Sequence, residues 1–374
     1  MRARTLITIL IVLIIATIAC NLFTPGEEIS SPTEVEAEAV AETAPASECI
    51  PTNPDEKPEK DAYETIVEEF DILAPSGNRI YGMIRRPDPA LYADLCFPGV
   101  VLVPGGINPG RLQALGQEAK LLAGAGMVVV TFNAEGRADD SPEDLRSEGT
   151  EDFNGYRHQD GLCAIAQYAM NLPYVISDNV GLSSQSYGIT MAAGCVARHP
   201  EILIKYLVDG EGPPYSFVTC HGPRFLAGDM KKYETVEEIF GREATWQDDS
   251  AENLEWWSER EAINFIGDFR GNYLRLQATW DHAQPPESEA GITTYNHPDG
   301  WPGGGPAWYH NKHTSDIVNA AVEGGVPWVR VNLPEQGNLV NTTFDAGTAP
   351  TFLPGRLADR PWAVFAIIEM ARME

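Results

Sequence analysis

Two hydrophobic rhythms divide the chain. In "ETIVEEFDIL" and "NRIYGMIRRP", on either side of the turn "APSGN", apolar and polar residues alternate, which predicts an antiparallel pair of strands. From Gly99 the rhythm changes. "GVVLVPGG", "GMVVVTFN", "NVGLSS" and "LIKYLVDG" are short runs rich in β-branched residues, continuous rather than alternating. Such strands are buried on both faces, so they predict a parallel sheet covered by helices. The intervening segments are helix-compatible: one ends at Ala125, one runs from about Asp152 to Asn171, and one from Tyr187 to Arg198. Between 211 and 271 no strand signal appears; Pro213, Pro214 and helix-like pieces such as "SAENLEWWSEREAINFI" predict a helical cap insert. "NYLRLQATWD" and "PWVRVNLPEQGN" resume the strands, with a helix from about Thr314 to Glu323 between them and a last one near Arg360 to Arg372. There is no internal repeat.

The first 20 residues, "MRARTLITILIVLIIATIAC", set two arginines before an apolar run that ends in a small residue and a cysteine, the layout of a secretory signal. With Cys20 after the cleavable Ala19, the segment resembles a bacterial lipoprotein signal, whose new N-terminal cysteine carries lipid. That resemblance implies an exported protein held on the cell envelope through Cys20. The alternative is an uncleaved anchor, since about 18 apolar residues span a bilayer and this run falls slightly short. Residues 21–62 hold six prolines and eleven acidic residues against two lysines, too little apolar surface for a core, and read as an acidic tether. Residues 63–374 remain for a single α/β domain.

Most of the net charge of −28 lies outside the tether, so the folded part is itself acidic. Nucleic acid needs a basic footprint and is a poor partner for this surface. Five cysteines remain beside Cys20. Cys49 and Cys96 form a plausible disulfide near the entrance of the domain; Cys163 and Cys195, in small-apolar helical sequence, read as buried thiols. No C-x-x-C pair points to a metal, and no glycine-rich phosphate loop points to a nucleotide cofactor.

The chemistry is concentrated in "SSQSYG". Ser186 has small residues two before (Ser184) and two after (Gly188), after a β-branched run and ahead of an alanine- and glycine-rich helix. A nucleophile elbow needs this: strand and helix pack so closely that neighbouring side chains have little room, and the serine is strained and exposed. A serine that merely caps the helix is the plainer reading. With this motif, "VVLVPGG" and "VVVTFNAEGRADDS", the chain from about Tyr63 to its C-terminus resembles the α/β-hydrolase superfamily. The resemblance implies the α/β-hydrolase fold, a mostly parallel sheet with helices on both faces. It also implies Ser186 as nucleophile, with the backbone N–H groups of Gly106 and Tyr187 as oxyanion hole.

The acid is expected in the turn after the first strand beyond the insert, where "LRLQATWDHAQPP" supplies Asp281; Asp209, ending "YLVDG", is the second candidate. The family's histidine falls on the loop after the last strand, but that loop reads "NLPEQGNLVN", with Asn338 in the histidine's place. An amide cannot act as a general base at neutral pH. His158 and His199 flank the nucleophile strand and read as structural or surface residues. His282 adjoins Asp281 awkwardly and His221 lies in the insert. Of His297, His310 and His313, the last is chosen as base because it sits at the entry of a helix that must start at the sheet's catalytic edge. Tryptophans of the insert and of the segment after Asp281 could wall the site or simply pack the insert. The expected function is a cofactor-free serine hydrolase, most readily of carboxylic esters, with small-molecule or polymeric substrates. A weakly active or inactive binding protein is the alternative that Asn338 raises.

Overall fold

The computed structural model describes residues 49–56, 62–138, 146–215, 240–242, 250–279, 306–333, 340–345 and 352–373. All of them belong to the unit that begins at Ser47. The alternating segments form β2 (Thr65–Leu73) and β3 (Arg79–Pro87), paired antiparallel from Thr65–Pro87 to Leu73–Arg79. The continuous runs become β4 (Leu95–Val103), β5 (Val128–Phe132), β6 (Val175–Gln185), β7 (Tyr206–Gly210), β8 (Asn272–Leu276) and β9 (Trp328–Val331). β3 joins β5 antiparallel, and the remaining neighbours in the order β2-β3-β5-β4-β6-β7-β8-β9 are parallel.

Part of the stretch read as tether lies in this sheet. β1 (Ile50–Pro51) pairs with the start of β4, Cys49 is disulfide-bonded to Cys96, and Arg372 binds the Pro54 carbonyl and the Glu56 carboxylate. A prolines-and-acids composition does not preclude order where a covalent link and a sheet edge supply the enthalpy.

Among the described residues seven helices accompany the strands: α1 (Pro89–Tyr92), α2 (Gln117–Gly124), α3 (Tyr156–Met170), α4 (Gly188–Arg198), α5 (Ala251–Ser258), α6 (Pro306–Gly324) and α7 (Trp362–Arg372). On one face of the sheet, α2 and α7 bury Leu122, Ile367 and Met370 against Val100, Val129, Val208 and Leu274. On the other, α3, α4 and α6 bury Leu162, Ile189 and Ile317 against Val101, Val130, Leu182 and Val331. Two buried apolar faces are why these strands read as continuous rather than alternating.

Cys163 of α3 and Cys195 of α4 are fully buried, but as a disulfide, not as thiols. Helical small-residue sequence predicted burial correctly and said nothing of the facing helix, whose approach brings the two Cα atoms within 5.4 Å. The C-terminal part of the expected cap is also core: Ala262, Ile266 and Phe269 are buried with α4 and α6. Its apolar positions pack onto the domain instead of forming a detachable lid.

The strand order sets the site. Successive parallel strands lead outward in opposite directions from the β4/β6 pair, so a crevice opens beyond the carboxyl ends of these two strands. The pairing of Val103 with Ser184 brings Gly105 and Ser186, just beyond those ends, to the same crevice.

Candidate active site

Ser186 follows β6 and precedes α4, at φ +53°. An L-residue in this left-handed region costs roughly 1–2 kcal/mol, so surrounding contacts must hold it. They do. The Ser186 N–H donates to the Gly210 carbonyl of β7 at 2.9 Å, and its own carbonyl accepts from Ile189 N–H at 3.1 Å. A Cβ on Gly105 would lie 2.8 Å from the Gln185 carbonyl oxygen and 2.9 Å from Ser186 Cβ, and one on Gly188 only 2.6 Å from the Pro104 carbonyl oxygen. The small residues of the motif are therefore required by close packing of β4's exit against the turn. Ser186 is partly exposed while both its neighbours in α4's first turn, Tyr187 and Gly188, are buried. The bend sets a partly exposed serine at the N-terminal, positive end of a helix.

Ser184 stands where the motif ordinarily has glycine. It is accommodated, but its buried hydroxyl has no hydrogen-bond partner among the described residues.

Opposite the serine, Gly106 at φ +60° opens a turn closed by Asn108 N–H onto the Gly105 carbonyl at 3.2 Å. Glycine is needed at this backbone angle. Tyr187 caps the start of α4; its ring packs at a tilt against Phe153, with centroids 4.9 Å apart, and its hydroxyl donates to the Arg260 carbonyl at 2.8 Å. Sequence reasoning overlooked Asn154, whose side-chain amide donates to the Tyr187 carbonyl at 2.9 Å and makes a longer contact to the Gly106 carbonyl at 3.5 Å. Its oxygen accepts from Arg137 Nη2 at 2.6 Å, and Arg137 is clamped by both oxygens of Glu151 at 2.8 and 2.9 Å. The available signal was the pair Asn154-Gly155, which favours left-handed backbone; Asn154 has φ +61°.

No protein-family model and no curated protein matches the chain. Solved structures do. Brefeldin A esterase, a bacterial homologue of human hormone sensitive lipase, superposes with a TM-score of 0.51 at 13% identity, over 84% of this chain and 79% of its own. Puromycin hydrolase gives 0.51 at 15% identity, over 82% of this chain and 38% of its own. A puromycin-hydrolyzing peptidase of Mycobacterium tuberculosis gives 0.50 at 13%, with the same coverages. The chain spans between 31% and 41% of the length of the peptidases and puromycin hydrolase that it matches. These identities speak for the fold alone.

This chain has the α/β-hydrolase fold.

Asp281, His221, His282, His297 and Asn338 lie outside the described residues, as does the side chain of His310. Asp209 is fully buried and accepts from Tyr273 Oη and Arg275 Nη1 at 2.7 Å each, and from Gly212 N–H at 2.9 Å. Burial raises its carboxyl above the ordinary carboxylate range, and these donors, Arg275 foremost, offset that only in part. Both oxygens are engaged, which makes Asp209 an anchor of the β7–β8 edge. Arg275 also holds the Gly212 carbonyl and Gln277, whose oxygen accepts from Thr314 of α6 at 2.8 Å and whose N–H donates to Asn332 at 2.8 Å. One buried polar network thus joins the exits of β7, β8 and β9 to α6.

His313, next to Thr314, is 2% exposed. The helix carrying it starts at Pro306, so His313 lies two turns inside α6 rather than at its entry. The boundary was misjudged because the aromatic, glycine-rich sequence before it lacks helical periodicity. His158 is structural: its Nδ1 accepts from Asn154 N–H at 3.2 Å and its Nε2 faces the Glu135 carbonyl at 2.9 Å. Burial, then the Arg137 charge, hold this ring down at about 3, so it stays neutral. His199 sits at the surface between Asp160 and Glu201.

A cavity of about 480 Å³ opens beneath the carboxyl ends of β4, β6, β7 and β8, on the α2/α7 side, walled by Leu102, Leu121, Val208, Leu276, Leu357 and Val364. Gln185, the neighbour of Ser186, is on its lining. Of the tryptophans that could wall the site or pack the insert, Trp256 and Trp257 pack against Phe153, with Trp256 also against Phe240 and under Arg260, securing α5 beside the elbow. Among the described residues no cluster of three or more His, Cys, Asp or Glu could hold a metal ion.

Proposed function

We propose that this protein is a serine hydrolase that acylates Ser186 and then hydrolyses the acyl-enzyme, most readily on carboxylic esters. The observation that carries the proposal is the left-handed, partly exposed Ser186 at the strand–helix bend beside Gly105 and Gly106. Strain of this kind persists only where contacts enforce it, and here it aims a hydroxyl at a crevice edged by a helix N-terminus. In this reading a base takes the Ser186 proton as its oxygen attacks the carbonyl carbon, the N–H groups of Gly106 and Tyr187 hold the oxyanion formed, the proton passes to the alcohol as the ester C–O bond breaks, and water deprotonated by the same base releases the acid. The cavity reaching Gln185 pairs apolar walls with polar groups such as Gln117, Glu118 and Arg360, which favours an ester with a hydrocarbon part and a polar substituent. His313 is proposed as the base and Asp281 as its acid. Two disulfides, Cys49–Cys96 and Cys163–Cys195, favour an oxidising compartment, in keeping with export and lipid attachment at Cys20.

Aryl-acetate turnover tests this reading. Wild-type protein is expected to turn over the ester and Ser186→Ala to lose at least ~10³-fold, the scale of losing a triad member. Turnover unchanged in Ser186→Ala contradicts the proposal, and unchanged turnover in His313→Asn removes His313 as base. The binding-protein reading rests on Asn338 in the loop that ordinarily bears the histidine. It predicts no turnover in wild-type protein and a gain of turnover in Asn338→His.

A further inference from the structure

We propose that Asn154 positions both oxyanion-hole donors with its one side-chain amide; this rests on the serine-hydrolase reading above. The two residues whose N–H groups are assigned to the hole come from separate elements, Gly106 from the turn after β4 and Tyr187 from the start of α4. Nothing in the sequence ties one to the other. Asn154, from the loop ahead of α3, reaches both: Nδ2 donates to the Tyr187 carbonyl at 2.9 Å and touches the Gly106 carbonyl at 3.5 Å. Each carbonyl belongs to the peptide unit that follows the donor residue. Holding it limits the rotation of that residue and hence the direction of its N–H.

The orientation of the amide is dictated by its surroundings. Two carbonyl oxygens on one side can only accept, and the Arg137 guanidinium on the other can only donate, so the nitrogen must face the carbonyls. Arg137 is in turn fixed by both Glu151 oxygens, and Glu151 also accepts from Phe153 N–H at 2.9 Å. The Asn154 main chain is pinned as well, its N–H to His158 Nδ1 and its carbonyl to Gln159 Nε2 at 3.1 Å. Asn154 is wholly buried and sits at φ +61°, a backbone angle that asparagine tolerates better than most residues. A buried amide with every group engaged is a rigid strut. Since a hole donor matters only where the anion develops, the strut acts on the transition state rather than on substrate binding.

Two variants separate this role from a general loss of stability. Asn154→Gly keeps the backbone angle and removes the strut; Asn154→Asp keeps the oxygen facing Arg137 and replaces the donor with an acceptor. Losing a hole donor outright costs roughly 10²–10³ in kcat, so a misaligned pair is expected to lower kcat on an aryl ester by at least about tenfold in both variants. KM should stay within about twofold, as expected when an interaction is made only in the transition state. Affinity for an aryl trifluoromethyl ketone, which forms a tetrahedral adduct on the serine, should fall in parallel with kcat, whereas affinity for the product carboxylic acid should not. Circular dichroism at the assay temperature restricts the comparison to folded protein; if one variant does not fold, the other decides. A folded variant with wild-type kcat and ketone affinity overturns the inference while leaving the serine reading intact. Wild-type protein whose turnover is unaffected by Ser186→Ala overturns both.

Discussion

At the scale of single residues, the geometry around Ser186 makes sharp demands. Adding a methyl at Gly105 or Gly188 drives a Cβ to within 2.8 Å or 2.6 Å of atoms of the facing segment. Gly105→Ala is therefore expected to cost about 1–3 kcal/mol, the range for overpacking, and to suppress turnover more than unfolding alone explains. Urea denaturation beside a folded-state assay checks both. Ser184 carries the opposite prediction. Its hydroxyl is buried without a partner among the described residues, and such a group costs about 1–3 kcal/mol, so Ser184→Ala should raise the melting temperature. A lower melting temperature would mean that the hydroxyl is satisfied. The elbow itself was legible in sequence because small residues flank a serine at a strand-to-helix boundary. Asn154 was not, because its importance arises only when a loop 32 residues earlier in the chain than Ser186 folds beneath that bend.

At the scale of elements, α3 and α4 are fastened by the Cys163–Cys195 disulfide, which closes a separation of 32 residues. A crosslink of that span contributes roughly 3–4 kcal/mol by restricting the unfolded chain, so Cys163→Ala/Cys195→Ala should shift the urea midpoint downward by a corresponding amount. An unchanged midpoint would show the link to be energetically idle. The parallel strands and their succession along the chain were readable from continuous β-branched runs separated by helical patterns. The disulfide and the extra length of α6 were not. Pairing depends on which helices face each other, and the start of α6 is held in a stretch whose glycines and aromatics carry no 3.6-residue period. The buried Asp209–Arg275 pair was hidden for a related reason: single charged residues in β7 and β8 look alike in sequence whether they meet water or each other. Removing one partner leaves the other charge uncompensated, and Arg275→Met should cost about 3–5 kcal/mol.

At the scale of the whole molecule, stability should depend on pH through His158. Its ring is held down at about 3 when folded, against the ordinary value of 6.5. The unfolded chain thus binds a proton between those two values that the folded chain does not. Stability supplied by the neutral ring is complete above about 6.5 and falls as pH drops toward 3, by up to ~1.4 kcal/mol per pH unit. Denaturant midpoints between pH 7 and 4 follow this, and His158→Gln should flatten the slope; an equally steep slope in that variant would assign it to other groups. The net negative charge, plain from composition, bears on solubility and has little to say about the crevice.

The nucleophilic role of Ser186 is tested most directly by mass mapping of the folded protein after exposure to a fluorophosphonate. The structure predicts one covalent adduct, on the peptide bearing Ser186, formed far faster than on any other serine and missing from Ser186→Ala. An unmodified Ser186 in folded wild-type protein, or an adduct undiminished in the alanine variant, would contradict it.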